Sequence, residues 1–413
     1  MIFPFDRFVE FKVPRKSNYR CLELSPDGTM IAAVSVNSVQ IWSAVSDCVL
    51  LSSIPQNRPT GYSKALLSRV VVVWNEESDQ ILVIRSEGVA DYYRIRREKR
   101  FLDDVYDDPN LCWECSKTRI ELACSIPIDQ YGIPISVCSY YQRILVLTDT
   151  GNIGDLSWNG EFVGFPLSKL IPESLLDPSV SLANVRPVSI SANSDLSCLA
   201  LALDNSVCLL LHLPATSRVP TRVTMLKPTL VDGVRQLLFA LGLPYIAVVS
   251  MLLSVEFFSI AEMDDGSFTW KTINQIDIRQ YPQLNPSPLF LYDTITTLSW
   301  CPGQPIVALG LKYQGIMVWT VEGSMLYSYN GYIPAVCNNP RTKEESPMST
   351  IEETEIEIAL EVSCCCFNMT GTCLLFNIPY DQIIHKDNHL FCRDSRLLCQ
   401  RICVLSDVIY ATC

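Results

Sequence analysis

The sequence predicts an all-β chain, a β-propeller assembled as a ring of four-stranded sheets. Three observations predict it. First, a five-residue pattern recurs: a small or turn-forming residue, a β-branched residue, two further positions, then a large residue. Its copies are Ser38-Val39-Gln40-Ile41-Trp42, Gly88-Val89-Ala90-Asp91-Tyr92, Asn152-Ile153-Gly154-Asp155-Leu156, Ser206-Val207-Cys208-Leu209-Leu210, Ser254-Val255-Glu256-Phe257-Phe258 and Gly315-Ile316-Met317-Val318-Trp319. Their large residues, at 42, 92, 156, 210, 258 and 319, stand 50, 64, 54, 48 and 61 residues apart. Second, apolar runs alternate with turn residues, as in Ser25-Pro26-Asp27-Gly28 before Met30–Val34. Third, 48% of the chain is apolar and only 18% is charged, so a disordered chain is excluded. A repeat of this period, made of short strands and tight turns, is the signature of a propeller.

Each repeat has one internal plan. The clearest copy starts at Thr296–Trp300, turns at Cys301-Pro302-Gly303, runs through Pro305–Leu309, turns at Gln314-Gly315 and reaches Trp319. Ser324–Tyr329 is its fourth strand. The first copy repeats the plan from Cys21–Leu24 to Trp42. Proline and glycine sit at turns, and β-branched residues fill the runs, each where its backbone preference is met. Val362–Phe367, Asn368–Gly371 and Cys373–Ile378 read as a seventh unit. The prediction is one WD-like propeller over residues 1–413. It has seven blades, near 20–55, 65–100, 135–165, 185–215, 235–275, 292–330 and 361–413; six or eight would also close a ring. Three loop insertions interrupt the plan, near 94–109, 276–291 and 341–361. Loops on a rigid scaffold are where binding residues gather.

Leu237–Val255 is 19 residues without a charge, about enough to cross a bilayer as a helix. Gly242-Leu243-Pro244 interrupts it, and the repeat continues directly through Ser254–Phe258, so two buried strands are favoured. Met1 to Lys16 carries Asp6, Arg7, Glu10 and Lys12 without a continuous apolar stretch, so no signal peptide is expected. The 18 cysteines then read as packing residues of an intracellular, cytoplasmic chain. A net charge of −12 argues against a nucleic-acid partner, since phosphate contacts need a basic surface.

Chemistry is sparse. The chain has three histidines, His212, His385 and His389, and His212 ends an apolar strand as a core or rim residue. No nucleophile motif, phosphate-cradling glycine loop or dinucleotide fingerprint appears. Cys364, Cys365, Cys366, Cys373, His385, His389, Cys392 and Cys399 have the residue types of a zinc site but not its spacing. Three successive cysteines in a strand alternate between its faces, so packing is favoured. Cys112-Trp113-Glu114-Cys115 lacks a second Cys-x-x-Cys pair and is also read as packing. The basic run Arg94, Arg96, Arg97, Lys99 and Arg100 could serve as a nuclear signal, an anionic-lipid contact or a docking patch. The plainer reading is a solvated loop neutralised by Asp103, Asp104, Asp107 and Asp108. Asn368-Met369-Thr370 matches a glycosylation acceptor and reads as a turn. The sequence therefore predicts no catalytic, cofactor-binding or metal residue and no enzyme. A propeller hydrolase, with carboxylates and histidines converging at the channel mouth, is the contrary possibility.

The Ser25–Gly28 hairpin resembles the start of a WD-repeat blade, although the Gly-His and Trp-Asp dipeptides are absent. Thr297–Gly303, Gly315–Val321 and Gly323–Leu326 resemble the WD-propeller region of the Ric-one family. Gln280-Tyr281-Pro282 upstream and Glu361–Gly371 downstream fit the same region, and the early copies fall in the same order. The specific part is 280–330. The resemblance implies the larger subunit of a Golgi complex with an Rgp-one type partner, which promotes nucleotide exchange on a Golgi Rab GTPase of Rab-six type. It implies a peripheral Golgi membrane protein of retrograde vesicle transport that works by binding. Exchange factors hold the nucleotide-free GTPase better than the nucleotide-bound form, which needs no covalent chemistry. Family members continue into a helical region, so this chain corresponds to their N-terminal portion. The alternative is a WD-like scaffold of another trafficking or ubiquitin-ligase assembly.

Overall fold

A computed structural model describes residues 8–10, 19–35, 38–44, 50–55, 70–85, 88–98, 117–140, 143–172, 175–176, 185–193, 198–212, 214, 220–264, 267–281, 293–329, 362–367, 373–378, 383–384, 390–391 and 396–401. The first strand is β1 (Phe8–Glu10). Blade one is β2 (Tyr19–Leu24), β3 (Met30–Ser35), β4 (Ser38–Ser43) and β5 (Leu50–Pro55). Blade two is β6 (Val70–Trp74), β7 (Gln80–Arg85), β8 (Val89–Glu98) and β9 (Lys117–Pro127). Blade three is β10 (Pro134–Tyr140), β11 (Arg143–Thr148), β12 (Asn152–Ser157) and β13 (Phe162–Pro166). Blade four is β14 (Pro187–Ala192), β15 (Leu199–Leu203), β16 (Cys208–His212) and β17 (Arg222–Leu226). Blade five is β18 (Val234–Phe239), β19 (Tyr245–Ser250), β20 (Ser254–Glu262) and β21 (Phe268–Asp277). Blade six is β22 (Ile295–Trp300), β23 (Ile306–Leu311), β24 (Ile316–Thr320) and β25 (Met325–Tyr329). Then come β26 (Cys364–Phe367), β27 (Cys373–Ile378), the short pair β28 (Ile383–Ile384) and β29 (Leu390–Phe391), and β30 (Arg396–Arg401).

The chain is an all-β, WD-like propeller with six blades of consecutive antiparallel strands, where seven were expected. The unit expected over 361–413 is not a blade of that kind. Its strands form a composite sheet of order β1-β30-β27-β26, whose outer strand comes from the other end of the chain. Glu10 pairs with Leu398 and Phe8 with Gln400. The reason is local: after β27 the chain detours through the small β28–β29 pair, and β30 returns beside β27 with one edge left open for β1. The composite sheet lies between blades six and one, since β26 contacts both β22 and β2.

First strands of neighbouring sheets touch one another, which makes them the innermost layer around the channel. The same hairpin recurs after five of them. The residue opening the turn donates its N–H to the carbonyl five residues on: Ser25 to Met30, Asn75 to Gln80, Asn193 to Cys198, Ala240 to Tyr245 and Cys301 to Ile306, at 2.8–3.1 Å. The next turn leads into the five-residue pattern and needs a left-handed backbone, met by Gly88 (φ 78°), Ser206 (φ 66°) and Gly315 (φ 77°). At Gly88 a Cβ would also stand 2.5 Å from the Asp129 Cβ, so glycine is required twice over. The pattern then fills the third strands, and Trp42, Tyr92, Leu156, Leu210, Phe258 and Trp319 are all buried.

The core is divided into apolar clusters, one between each adjoining pair of sheets. Phe257, Trp300 and Trp319 lie between blades five and six. Tyr19, Leu22 and Trp42 face Cys364 and Cys366 across the closing seam, while Cys365 turns the other way onto Ile316 and Val318. Polar ties cross the same interfaces. Trp74 Nε1 donates to the Glu23 carbonyl at 3.2 Å, and Trp300 Nε1 does the same to Leu238. Ser136 receives the Ile190 N–H and Ser189 the Leu237 N–H, both at 3.1 Å. Buried backbone groups need such partners wherever adjacent sheets are not hydrogen-bonded to each other.

Two insertions differ from expectation. Arg94–Glu98 is not loop: it is the far half of β8, and blade two extends to Pro127. Ile276 and Asp277 end β21 and are followed by a 3-10 turn at Ile278–Gln280. Residues 341–361, the acidic stretch 103–108 and Cys112-Trp113-Glu114-Cys115 lie outside the described residues. The uncharged run 237–255 forms strands, and no described helix is long and apolar enough to cross a membrane.

Trp319 is fully buried, with its ring centroid 4.9 Å from that of Tyr281. Trp319→Ala should lower the unfolding free energy by about 3–5 kcal/mol, because the cavity lies at a sheet interface that cannot collapse. A urea titration followed by circular dichroism checks it.

Candidate interaction surface

Antiparallel order places the connections into each first strand, and the turns between second and third strands, at one end of the ring. This upper end carries 128–133, 227–233, 251–253, 278–281, 293–294 and 312–315. On blade five it is apolar. Val231 is 94% exposed, Met251 52% and Leu252 37%. Two of the three have a pinned backbone: Met251 N–H donates to Gly233 at 3.2 Å, and the Leu252 carbonyl accepts from Ile295 at 3.0 Å. The neighbouring Leu253 turns inward and is buried in the cluster between blades five and six. Met251 and Leu252 are therefore held outward by a rigid frame, with Val231 exposed on the turn beside them. Covering a fully exposed side chain of this kind is worth about 1.5–3 kcal/mol, so Val231 has the most to gain and the half-buried Met251 and Leu252 less.

A fixed charge borders this patch. Arg279 Nε lies 2.9 Å from Asp277, and its Nη2 lies 3.0 Å from Asp232 and 3.2 Å from Ser254 Oγ. The Asp277 hydrogen bonds, aided by the charge of Asp232, push the guanidinium pKa up. Beside it, buried Asp293 accepts from the N–H groups of Thr294 (2.8 Å) and Tyr313 (3.1 Å) and ties two upper-end loops together. Burial pushes that carboxyl up.

Other charged groups serve the scaffold. Asp91 and Asp155 share the fourth position of the five-residue pattern, and each is buried against an arginine. Asp155 is bidentate with Arg143 at 2.8 and 3.0 Å; Asp91 takes Arg85 and, at 2.6 Å, Ser125. Glu256 is buried in blade five and accepts the Thr229 N–H at 2.7 Å.

The cysteines of β26 lie as strand alternation requires. Burial pushes the thiols of Cys21, Cys138, Cys208, Cys301 and Cys365 up to about 12, and those of Cys364 and Cys366 well above the ordinary value. They are neutral thiols, poor as nucleophiles or ligands. Among the described residues no three His, Cys, Asp or Glu are grouped to hold a metal. His385, His389, Cys392 and Asn368–Thr370 lie outside the described residues. His212 ends β16 at the rim, with Nδ1 2.7 Å from Thr221 Oγ1 and its ring tilted against Phe268. The basic run is partly neutralised, by residues other than its sequence neighbours. Arg97 pairs with Asp27 of blade one at 3.0 Å and Arg96 with Glu121 at 3.2 Å. Burial pushes the Asp27 carboxyl up, but donors from Ser25, Thr29 and Arg97 outweigh it and hold the pKa at about 2.

Glu23 sits on innermost β2, with part of its side chain exposed and its carboxyl set among neighbouring side chains. Burial of that carboxyl pushes its pKa up to about 7.

No family sequence model matches the chain, and no curated protein sequence matches it. Its fold is similar to that of Raptor from Chaetomium thermophilum, at TM-score 0.57 and 12% identity over 94% of this chain. The chain spans 28% of the length of that protein. It is similar to the β-propeller domain of Cps50 (Swd1) from Myceliophteria thermophila, at TM-score 0.59 and 9% identity over 95% of this chain and 98% of that one. The WD40 repeats of RRP9 give TM-score 0.55 and 10% identity over 96% and 97%. At these identities the likeness shows the fold, a WD40-like propeller.

Between pH 4.5 and 7 the folded state binds more protons at Glu23 than the unfolded state, whose carboxyl has its ordinary pKa of 4.5. The stability Glu23 contributes is complete below that window and is lost as pH rises through it. In Glu23→Gln this loss should vanish, so the variant gains on the wild type from pH 4.5 to 7. Equal pH profiles of the melting temperature would refute the assignment.

Proposed function

We propose that this chain is a non-catalytic propeller scaffold that works by binding, and that it is the propeller portion of the larger subunit of a Golgi Rab guanine-nucleotide exchange complex. The observation carrying the binding role is the upper end of blade five, where Met251 and Leu252 are held outward on a braced loop beside the exposed Val231. Apolar side chains that solvent would favour burying, fixed by backbone hydrogen bonds, form a preorganised anchor for a partner. The Golgi assignment is supported by the Ric-one resemblance. Its specific residues are neighbours in space: Thr297–Trp300 in β22, Ile316–Thr320 in β24, and Tyr281 against Trp319. The implied partners are an Rgp-one type subunit and a Golgi Rab GTPase, with peripheral membrane association through the complex.

The test is a pull-down of the chain with the Rgp-one type subunit and a nucleotide-free Golgi Rab. Wild type should capture both, and Val231→Asp/Met251→Asp should lose at least one by about tenfold or more while its melting temperature stays within a degree or two. Capture of neither by wild type overturns the Golgi reading. Proximity labelling that enriches components of another trafficking or ubiquitin-ligase assembly would assign the scaffold there.

A further inference from the structure

The upper end of blade six carries two buried polar side chains side by side. Asp293 stands two residues before β22, and Gln314 lies in the turn between β23 and β24. They are 0% and 1% exposed. Asp293 Oδ1 accepts the Thr294 N–H at 2.8 Å and the Tyr313 N–H at 3.1 Å. Its other oxygen, Oδ2, has no hydrogen-bond partner within the protein, and neither Oε1 nor Nε2 of Gln314 has one. The Gln314 carboxamide is nonetheless close enough to the Asp293 carboxyl to favour its charged form. Three buried polar atoms on two neighbouring side chains have thus given up hydration with no hydrogen bond in return.

Two other buried carboxylates are balanced differently. Asp91 is paired with Arg85 and Asp155 with Arg143. Among the described residues Asp293 has no ion pair. Two cations of the same end of the ring are engaged elsewhere. The Lys312 ammonium lies over the Tyr313 ring at 5.0 Å, and Arg235 Nη1 donates to the Ile295 carbonyl. A buried carboxylate with one bare oxygen, beside a carboxamide with a bare oxygen of its own, is a site that asks for positive charge.

We propose that Asp293 and Gln314 bind an alkali cation, sodium or potassium, through Oδ2 and Oε1. Charge selects the valence: one carboxylate neutralises a single positive charge, whereas a divalent ion would leave net charge buried. The donor set selects the class. Both ligands are hard oxygens, and neither is the thiolate or imidazole that suits zinc or copper. The ion also braces the docking patch from beneath. Asp293 runs directly into Ile295, whose N–H holds the Leu252 carbonyl at 3.0 Å, so fixing Asp293 fixes the turn that carries Met251 and Leu252. The cation site itself depends neither on the Golgi reading nor on that patch having a partner.

The test is a thermal melt of the whole chain in sodium, potassium and choline chloride at equal ionic strength. In at least one alkali salt the melting temperature should exceed that in choline by about 2 °C or more, and should climb with the concentration of that salt. The better salt identifies the ion. Asp293→Asn keeps an acceptor for the two N–H groups but removes the charge, so it should melt at one temperature in all three salts. Gln314→Leu should respond less than the wild type. Equal melting of the wild type in the three salts overturns the proposal and leaves a bridging water or a shared proton in its place. A salt response that survives in Asp293→Asn overturns it too, because the ion is then bound elsewhere.

Discussion

A sheet whose two faces are both apolar can never be left uncovered on either side, and this constraint governs the whole chain. Each blade hides one face against the preceding sheet and the other against the following one, so the clusters between sheets replace a single central core. Such an arrangement has no natural end. It is stable only when the last sheet meets the first, and the composite sheet does this by placing β26 between β22 and β2. Cys364 and Cys366 then complete the cluster of Tyr19 and Trp42, while Cys365 and Phe367 complete the one behind it. The three successive cysteines are best understood as small apolar residues chosen for a tight seam, where larger side chains would force the sheets apart.

The interfaces are held in register by polar ties as well as by packing. Apolar contact alone is indifferent to a slide of one sheet along its neighbour. Hydrogen bonds from Trp74 and Trp300 to backbone carbonyls, and from backbone to Ser136 and Ser189, are specific to one register. At the seam Ser363 Oγ donates to the Tyr19 carbonyl at 3.0 Å, and Ser299 Oγ accepts from Phe367 N–H at 3.3 Å. A scaffold of this stiffness lets loop residues such as Met251 and Leu252 hold a fixed outward position.

What the sequence revealed follows from how each feature is encoded. The five-residue pattern was legible because a tight turn, a β-branched residue and a large buried side chain are all needed at the same place in every blade. Blade two was misjudged because Arg94–Glu98 is a strand beyond the core: one inward Ile95 among charges reads as a solvated loop. The closing strand was missed because β1 spans only three residues and its partner is encoded almost four hundred positions later. The apolar patch was hidden in plain view. Met251 and Leu252 sit inside a continuous uncharged run, and only the placement of the turn shows that they leave the core. No periodicity distinguishes an apolar residue that turns inward from one that turns out at a bend.

The composite sheet also sets an order on the ribosome. Blade one is synthesised first, yet one of its faces, with Tyr19, Leu22 and Trp42, waits for residues 364–366 before it is covered. The β1 strand waits still longer, for β30. For most of translation the growing chain is an open arc with an apolar surface at its first sheet, and pairing of such high sequence separation is slow. Until the final strands arrive, that first face is apolar surface open to aggregation.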